Sequence, residues 1–425
     1  MAKFYICALG CKVNSYEIDA IKSDLLANNH QYVNEKEADV IIVNTCCVTN
    51  TAASKSRQKI NSIHKNNPNA DIIVMGCYVQ GFEQEAKNIL GVKLLVGTKD
   101  RSKIKDYIND LQTQISLVSD VKDYNIYEDL AMASSCENTR AYLKIQDGCN
   151  NFCTYCKIPF ARGRSRSRLP EDIVNEVKLF EKNGYREIIL TGINISDYHY
   201  ESLDFAGLLK LLLNETKNIR FRLSSLEPQN LTQDFFDVIK DSRICPHFHM
   251  ALQSGSTKIL KAMNRKYTAD DFLLMVDKIK SSKENPFLSS DLILGFPGET
   301  EEDFIETQET LKKADFSYIH VFAFSPRSGT KAFNMKPKIP ERIRDERVNI
   351  ITSMSKNLTV DYAKGFVGKT LNVLIERKVE EFFLGKSENY LDVKIKTDEK
   401  LQQKELYEVR IESVNPDGSV IGSLI

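Results

Sequence analysis

Three closely spaced cysteines carry the strongest chemical signal in the sequence. Cys149, Cys153 and Cys156 follow a C-x3-C-x2-C spacing directly after a predicted strand near residue 142. Thiolates are natural ligands of iron–sulfur clusters, and three on one loop hold three irons of a cubane while the fourth iron stays open for a substrate ligand. Zinc sites normally need a fourth Cys or His, and the closest downstream histidine is His199. The spacing therefore favours an iron–sulfur cluster over a zinc knuckle.

A second set of three cysteines is spread over the first part of the chain. Each follows a short apolar run: Cys11 after Phe4–Leu9, Cys46 after Val40–Val43, and Cys77 after Ile72–Met75. These runs predict buried parallel strands joined by helices. Because the carboxyl ends of parallel strands line one edge of an open sheet, where ligands bind, the thiols are expected to meet at one place.

Composition limits where such chemistry takes place. The chain has 425 residues, 42% hydrophobic and 27% charged, as is typical of a globular protein. Its 58 Lys and Arg balance 58 Asp and Glu, so net charge gives no general attraction to nucleic acid or to an anionic membrane. No apolar run reaches the roughly 18 residues of a membrane span, and the start of the chain does not resemble a secretory signal. We therefore expect a cytoplasmic protein with no membrane partner, whose ten cysteines serve metal or redox chemistry rather than disulfides.

The order of predicted elements gives an α/β protein in three parts. Residues 1–118 alternate short apolar runs with helical patterns, which predicts an open parallel α/β sheet. After a linker, residues 135–365 repeat a strand–helix rhythm with strands near 142, 187, 220, 247, 289 and 319. Six such units are too few to close an eight-stranded barrel, so we expect a partial (β/α)6 barrel. Residues 366–425 contain five short predicted strands without helices, typical of a small antiparallel, OB-like β-barrel.

Longer motifs resemble one enzyme family over nearly the whole chain. The string from Lys144 through the cysteine loop to Arg164 is similar to that of the radical S-adenosylmethionine (SAM) methylthiotransferases. Gly-Cys at 10–11, Asn-Thr-Cys at 44–46 and Gly-Cys at 76–77 match the same family. Further matches follow in the family's order, before a terminal domain of the TRAM type: Ser224–Pro228, Leu252–Gly255, Gly295–Thr300 and Phe324–Thr330.

The resemblance implies that the cofactors are two 4Fe–4S clusters and SAM. Cys149, Cys153 and Cys156 would hold the cluster whose open iron binds SAM. An auxiliary cluster would be held by Cys11, Cys46 and Cys77, in agreement with the argument from the sheet edge.

Four further cysteines have weaker claims. Cys47 stands where this branch of the family usually carries Thr. Because neighbouring side chains of an extended strand point to opposite faces, only one of Cys46 and Cys47 can face the site, and Cys46 is favoured. Cys7, Cys136 and Cys245 are expected to be incidental or buried free thiols.

The resemblance also implies a SAM pocket at the carboxyl ends of the barrel strands. Tyr155 is expected near the SAM adenine, and Arg265 is a candidate for the SAM carboxylate. The tight loop at Gly295 and Gly298 allows close backbone approach, for which glycine is suited. Plain packing or loop hydrogen bonding is the structural alternative for this set. Its members are Tyr155, Gly192, Asn194, Ser225, Glu227, Gln253, Arg265, Gly295, Gly298 and Glu299.

The expected reaction inserts a methylthio group at carbon 2 of the modified adenosine at tRNA position 37, next to the anticodon. That C–H bond is neither acidic nor electrophilic, so the reaction needs a radical cofactor rather than acid–base catalysis. The family implies that one SAM methylates sulfur at the auxiliary cluster and that a second is cleaved to a 5′-deoxyadenosyl radical. Expected partners are the tRNA anticodon stem-loop, an electron donor such as flavodoxin or ferredoxin, and a sulfur donor of unknown identity.

Two motifs favour N6-threonylcarbamoyladenosine as the substrate. Gly10–Glu17 and Val43–Thr49 resemble the threonylcarbamoyl branch, whereas the isopentenyl branch typically has Gln-Met after the first ligand cysteine. The threonylcarbamoyl group carries a carboxylate, so its pocket should contain a cation or backbone donors. Arg327 and the arginines at 162–168 are candidates for that cation.

Other functions compete with this expectation. Within the family, the substrate could instead be N6-isopentenyladenosine in tRNA or an aspartate of a ribosomal protein. Outside it, a zinc-bearing RNA-binding protein or an iron–sulfur electron carrier would cleave no SAM.

Contacts with RNA are expected beside the cysteine loop. Arg162, Arg164, Arg166 and Arg168 place four cations within seven residues. Such runs are usually solvated, but this position favours contact with RNA phosphate. Residues 367–425 contain nine Lys and Arg against eleven Asp and Glu, so their composition gives RNA binding no electrostatic support.

Overall fold

The computed structural model describes residues 1–122, 124–133 and 138–425. Cys136 therefore lies outside the described residues. No helix within these ranges is long and apolar enough to cross a membrane. The domain bounds at 118, 135 and 365 stay predictions.

The first part of the chain is an open parallel α/β sheet, as expected. Its strands are β1 (Lys3–Ala8), β2 (Gln31–Tyr32), β3 (Val40–Thr45), β4 (Asp71–Gly76), β5 (Val92–Val96) and β6 (Ile115–Ser116). Its helices are α1 (Lys12–Ala27), α2 (Asn50–Asn66), α3 (Cys77–Gly81), α4 (Glu83–Lys87) and α5 (Ile104–Tyr107). The strands lie in the order β2-β1-β3-β4-β5-β6, and all neighbouring pairs are parallel. Alternate residues of β3 enter two separate apolar cores, one on each face of the sheet, which is why every residue of β3 is buried.

The central part is an open barrel of six parallel strand positions, which confirms the expected partial barrel. Its strands are β7 (Ala141–Lys144), β8 (Gln146–Asp147), β9 (Arg166–Ser167), β10 (Glu187–Thr191), β11 (His199–Tyr200), β12 (Leu203–Asp204), β13 (Arg220–Leu223), β14 (Ser225–Leu226), β15 (His247–Gln253), β16 (Phe287–Leu294) and β17 (Tyr318–Ala323). The barrel order is β7-β10-β13, continued by β14-β15-β16-β17 after a break at Ser224. Among the described residues β7 pairs only with β10 and β17 only with β16, so the barrel stays open between β7 and β17.

Helices follow the barrel strands and cover their outer surface. They are α6 (Ile158–Arg162), α7 (Pro170–Lys182), α8 (Phe205–Glu215), α9 (Gln233–Val238), α10 (Thr257–Ala262), α11 (Ala269–Ser282) and α12 (Glu301–Ala314). The start of α12 has a capping box, in which Thr300 and Asp303 each accept a hydrogen bond from the other's backbone N–H. We call the carboxyl ends of the barrel strands the upper end and their amino ends the lower end.

A small β-barrel completes the chain after the long helix α13 (Glu341–Lys364). It is closed in the order β18-β19-β20-β22-β21. Its closing pair, β20 with β22, is parallel, whereas the sequence predicted a wholly antiparallel barrel. The strands are β18 (Thr370–Val379), β19 (Phe382–Ser387), β20 (Asp392–Lys396), β21 (Leu406–Val414) and β22 (Val420–Leu424).

This β-barrel packs against the lower end of the central barrel. Arg222 donates hydrogen bonds of 3.0 Å to the carbonyls of Ser387 and Glu388, and Glu187 holds Arg222 in place at 2.7 Å. The ring of Tyr390 stacks on His247 with 4.1 Å between ring centroids. The C-terminal part therefore forms a floor under the open barrel.

Candidate active site

The three strand-end cysteines meet at one edge of the first sheet, as predicted. Cys11 precedes α1, Cys46 directly follows β3, and Cys77 opens α3. A Cβ placed on Gly10 would lie 3.0 Å from Cys46 Sγ, so the Gly10–Cys11 turn contacts Cys46. Burial raises the pKa of Cys77, the charge of Arg162 opposes that rise, and the nearby thiols of Cys47, Cys46 and Cys11 add to it. We call these three cysteines the strand-end triad.

Cys47 lies beside the strand-end triad and packs, as Cys77 does, into the apolar core on one face of the sheet. It is 2% exposed, and its Sγ would lie 3.7 Å from a Cβ placed on Gly81. Burial raises the pKa of Cys47 to about 11. Cys46, not Cys47, is the neighbour of the Gly10–Cys11 turn.

The second set of cysteines, which we call the loop triad, lies on the segment between β8 and α6 at the upper end of the barrel. Cys153 is buried, and Cys149 and Cys156 are partly buried. Burial raises the pKa of Cys149 to about 12, and the neighbouring thiol of Cys153 adds to it. The loop is fastened to the barrel because the N–H of Thr154 donates to the carbonyl of Met263 at 3.0 Å.

Nitrogen donors point at the sulfurs of the loop triad. The backbone N–H of Asn151 donates to Cys149 Sγ at 3.4 Å, and that of Ile158 donates to Cys156 Sγ at 3.4 Å. Arg265 Nη1 donates to Cys153 Sγ at 3.3 Å. Hydrogen bonds to cluster sulfurs tune iron–sulfur centres, and a nearby guanidinium favours thiolate over thiol.

Arg162 connects the two triads. Its Nε donates to Cys77 Sγ at 3.2 Å, and its Nη2 donates to Asn14 Oδ1 at 2.9 Å. Its Nη1 donates to Glu17 at 2.8 Å and to Asp147 at 3.1 Å. Asp147 lies two residues before the first cysteine of the loop triad. A single side chain therefore contacts the helix behind one triad, a sulfur of that triad and the strand leading to the other.

Further buried charges complete this contact. Lys144 Nζ lies 2.6 Å from Asp147 and 3.1 Å from Glu17, and Arg166 lies 3.1 Å from Asp147. Burial alone would raise the pKa of Asp147, but Lys144, Arg162 and Arg166 together hold it well below its usual range. We call the group the interdomain charge cluster; its members are Glu17, Arg101, Lys144, Asp147, Arg162 and Arg166.

The expectation that the arginine run contacts RNA is wrong for three of its four members. Arg162 is 0% exposed, Arg166 5% and Arg168 1%, because each faces a buried carboxylate instead of solvent. Arg168 pairs with Glu176 on α7. Only Arg164 of the run is exposed.

The upper cavity has a volume of about 330 Å³ and lies between the loop triad and the segment that follows β3. All three cysteines of the loop triad line it, and so do Val48 and Thr49, which follow Cys46 and Cys47. Five of the expected SAM-pocket residues line it as well: Tyr155, Ser225, Glu227, Gln253 and Arg265. One cavity therefore faces the cysteine loop and the segment after β3 at the same time.

Arg265 is held in a fixed position within this cavity. Its Nη2 donates to Glu227 Oε2 at 2.6 Å, and its Nε donates to the hydroxyl of Tyr267 at 2.7 Å. Burial raises the pKa of Glu227, and the charge of Arg265 opposes that rise. The guanidinium thus contacts a triad sulfur and a buried carboxylate together.

The structure does not place the other five expected residues on the cavity wall: Gly192, Asn194, Gly295, Gly298 and Glu299. Asn194 Oδ1 accepts a hydrogen bond from Ser196 at 2.8 Å, which fixes its own loop. The carboxylate of Glu299 pairs with Arg347 on α13 at 2.5 Å. Asn194 and Glu299 therefore hold their own loops in place.

A second, lower cavity of about 470 Å³ was missed from the sequence. It lies between the lower end of the barrel and the C-terminal β-barrel. His249 Nε2 lies 3.3 Å from Asp291 Oδ2, and potential ligand atoms of His249, Asp291 and His320 all lie within 4.8 Å of one another. His247 and His249 alternate along β15, and this period of two was the signal in the sequence that they share a face.

Both triads fit iron–sulfur clusters by their chemistry. All six thiols are free, three converge at each place, and each group has a guanidinium nitrogen within 3.3 Å of one sulfur. Positive charge there offsets the charge of thiolates, which must lose their protons to bind metal.

Comparisons with known proteins agree with this division of the chain. The Radical SAM superfamily matches residues 143–311, which include the loop triad. A family described as Uncharacterized protein family UPF0004 matches residues 3–97, which include the strand-end triad.

A solved structure has a similar fold over most of the chain. It is the radical S-adenosylmethionine methyltransferase TsrM of Kitasatospora setae, with a TM-score of 0.60 over 78% of this chain and 74% of that one. The two sequences are only 12% identical, so the likeness concerns the fold alone.

Curated relatives cover nearly the whole chain. The threonylcarbamoyladenosine tRNA methylthiotransferase MtaB of Bacillus subtilis (strain 168) is 39% identical, over 93% of this chain and 91% of that protein. A tRNA-2-methylthio-N(6)-dimethylallyladenosine synthase of Clostridium perfringens (strain SM101 / Type A) is 34% identical, over 99% and 97%. Radical SAM enzymes use SAM and a 4Fe–4S cluster, and methylthiotransferases carry a second cluster. The chain therefore belongs to the radical SAM methylthiotransferase family.

Proposed function

We propose that this enzyme converts N6-threonylcarbamoyladenosine at position 37 of tRNA to its 2-methylthio derivative. The observation that carries the proposal is the upper cavity, because its walls come from the loop triad and from the segment after β3. A base held there lies against the loop triad and against Val48 and Thr49, which follow Cys46 closely in the chain. The substrate named for the Bacillus subtilis relative, the more similar of the two above, supports the choice of modified base.

The cysteine triads divide the work in this proposal. Cys149, Cys153 and Cys156 hold the cluster that binds SAM, while Cys11, Cys46 and Cys77 hold the cluster that delivers sulfur. The two clusters and SAM supply the radical and sulfur chemistry that side chains cannot. The protein positions the triads through the interdomain charge cluster and excludes water from the buried loop sulfurs.

Residues around the upper cavity orient the cofactor. Arg265 offers a cation for the carboxylate of SAM next to Cys153, and Glu227 sets the direction of that guanidinium. Tyr155 packs edge-on against Phe296, with 6.5 Å between ring centroids, at the side where the adenine is expected. The other five expected residues support the SAM site indirectly, by holding the loops around it: Gly192, Asn194, Gly295, Gly298 and Glu299.

The wider setting of the reaction is part of the same proposal. The enzyme acts in the cytoplasm on the anticodon stem-loop of tRNA. An electron donor such as flavodoxin or ferredoxin reduces the SAM-binding cluster, and a separate donor supplies sulfur. Arg164, the exposed member of the arginine run, is available to contact RNA phosphate beside the cysteine loop.

Nucleoside analysis of tRNA tests the substrate. In a deletion strain, mass spectrometry should show loss of methylthio-threonylcarbamoyladenosine while methylthio-isopentenyladenosine is unchanged. The intact gene should restore the missing nucleoside, and a Cys149→Ala copy should not. The reverse pattern of loss would assign the enzyme to N6-isopentenyladenosine. Loss of neither nucleoside would reject a tRNA substrate.

Metal analysis tests the cofactor assignment separately. After anaerobic reconstitution, two 4Fe–4S clusters require about eight irons per chain. One zinc and no iron would contradict the proposal.

A further inference from the structure

The lower and upper cavities are lined by successive residues of the same three barrel strands. Along β15 the first inward residues, His247 and His249, line the lower cavity, and the next, Ala251 and Gln253, line the upper. The same alternation holds on β16, where Phe287 and Ser289 lie below and Asp291 and Ile293 above. On β17, Tyr318 and His320 lie below Phe322. Because side chains of a strand alternate between faces, these residues form one inner wall.

The junction between the cavities is polar. His249 lies on the lower side and contacts Asp291, on the upper side, at 3.3 Å. Ser289 holds the other ring nitrogen of His249 at 3.0 Å. A ligand that extends from one cavity into the other therefore passes a set of hydrogen-bonding groups.

Three cations surround Tyr390 at the floor of the lower cavity. Lys386 lies over the ring of Tyr390 at 4.2 Å, Arg222 at 5.1 Å and Arg140 at 5.9 Å, measured to the ring centroid. Tyr390 itself lines the cavity. Each of these cations is paired with a carboxylate: Lys386 with Asp392, Arg222 with Glu187, and Arg140 with Glu376.

Lys12 is the cation of this cavity without an anionic partner. Lys386 pairs with Asp392 at 2.6 Å, and Asp417 accepts hydrogen bonds from Ser419 at 2.6 and 2.9 Å. Among the described residues, Lys12 has no ion pair and no hydrogen bond through its ammonium group, although it is partly buried and lines the cavity. Its backbone follows Cys11 directly, while its side chain lines the lower cavity.

We propose that the lower cavity receives the N6-threonylcarbamoyl group and that Lys12 binds its carboxylate. The inference rests on the proposed function, because it names the residue that selects the substrate. The Watson–Crick edge of adenine has C2 at one end and N6 at the other. A base in the upper cavity that presents C2 toward the segment after β3 therefore directs its N6 substituent to the other side, toward the lower cavity, which the side chain of Lys12 lines.

Arg327 is the competing cation. It lines the upper cavity, but its Nη1 and Nη2 donate to Asn50 and to the carbonyl of Cys47. Both terminal nitrogens of the Arg327 guanidinium are therefore hydrogen-bonded to the first part of the chain. Among the described residues, only its Nε has no hydrogen-bond partner. Lys12 keeps all its donors for a ligand.

Binding measurements separate recognition of the carboxylate from turnover. The probes are a synthetic anticodon stem-loop with N6-threonylcarbamoyladenosine at position 37 and the same RNA with the carboxylate converted to its methylamide. Dissociation constants are measured by fluorescence anisotropy on the reconstituted holoenzyme without a reductant. A charge-assisted hydrogen bond predicts that the native enzyme prefers the carboxylate RNA by about ten- to a hundredfold.

Variants assign that preference to one side chain. Lys12→Gln should remove most of the preference, and Lys12→Arg should keep a substantial part of it. Lys22→Gln is the matched control, because it removes the same charge from the same helix at a side chain that lies over Tyr32, 3.4 Å from the ring centroid. This control should keep the full preference.

Two results would overturn the inference. One is equal binding of both RNAs by the native enzyme. The other is an unchanged preference in Lys12→Gln, with its loss in Arg327→Gln assigning recognition to the upper cavity. Failure of the proposed function looks different, because the reduced native enzyme would then bind the carboxylate RNA but form no methylthio product.

Discussion

The two cysteine triads are built in opposite ways. The loop triad occupies eight consecutive residues, from Cys149 to Cys156, so its geometry is set by one short segment and the groups that hydrogen-bond to it. The strand-end triad is drawn from positions 11, 46 and 77 and exists only because three parallel strands end at the same edge. A local loop and a whole sheet thus each provide a set of three thiols. The first depends on a few local bonds and the second on the core of a domain.

The largest expected effect separates the two triads by chemistry. Cys149→Ala should abolish both reductive cleavage of SAM and formation of the methylthio product, because the SAM-binding cluster is lost. Cys46→Ala should leave SAM cleavage largely intact but stop methylthio transfer. Chromatography of 5′-deoxyadenosine and mass spectrometry of the RNA measure the two outcomes. Equal loss of cleavage in both variants would contradict separate roles.

The next effect tests the contact between the triads. Arg162→Met removes one partner of the interdomain charge cluster and leaves Glu17 and Asp147 with less compensation. Breaking a buried pair on one side should lower the free energy of unfolding by about 3 kcal/mol. Urea unfolding followed by circular dichroism measures this change.

Arg164→Met is the control for that measurement. Arg164 is exposed, and its guanidinium lies 4.8 Å from the ring centroid of Phe152, so its loss should change the stability by less than about 1 kcal/mol. A similar loss in both variants would mean that the buried charge cluster has no special role.

A smaller effect concerns order in the absence of iron. The strand-end triad is held by β1, β3 and β4, which are paired on both sides within the sheet. The loop triad lies outside the barrel sheet. Iron removal should therefore increase amide hydrogen exchange more in residues 149–157 than in residues 40–46 and 71–77. Mass spectrometry of peptides from both regions checks the comparison, and equal increases would show that the sheet does not preform its site.

The smallest expected effect is that of Cys47→Ala. Since Cys47 packs in the apolar core and Cys46 meets the Gly10–Cys11 turn, turnover should stay close to that of the native enzyme. Steady-state product formation measures it, with Cys46→Ala as the inactive counterpart. An active Cys46→Ala and an inactive Cys47→Ala would exchange the two assignments.

Much of the scaffold could be predicted because its signals are local. Apolar runs of a few residues placed the strands of both sheets, and the position of each cysteine after a run placed the strand-end triad. The turn residues and spacing of the C-terminal part similarly predicted a five-stranded barrel. Its parallel closing pair was missed because pairing direction between distant strands leaves little trace in either strand.

The charged residues were predicted poorly for a physical reason. The sequence predicted a solvated or RNA-binding run at Arg162, Arg166 and Arg168, because it does not reveal which carboxylates the fold brings to them. Glu17 lies 145 residues before Arg162, yet the two are in contact. In the sequence, Lys12 was only part of a motif that resembles the threonylcarbamoyl branch of the family. The structure places it in a cavity with the histidines of β15.

The interdomain charge cluster also limits how such a chain can be recombined. A chimera that takes its first part from one protein and its barrel from another would inherit Glu17 and Arg162 from different parents. Any mismatch in charge would leave a buried ion without its counterion, and desolvated ions are costly in a protein interior. The two parts are therefore expected to be inherited together, and designers who exchange them must transfer the cluster as one unit.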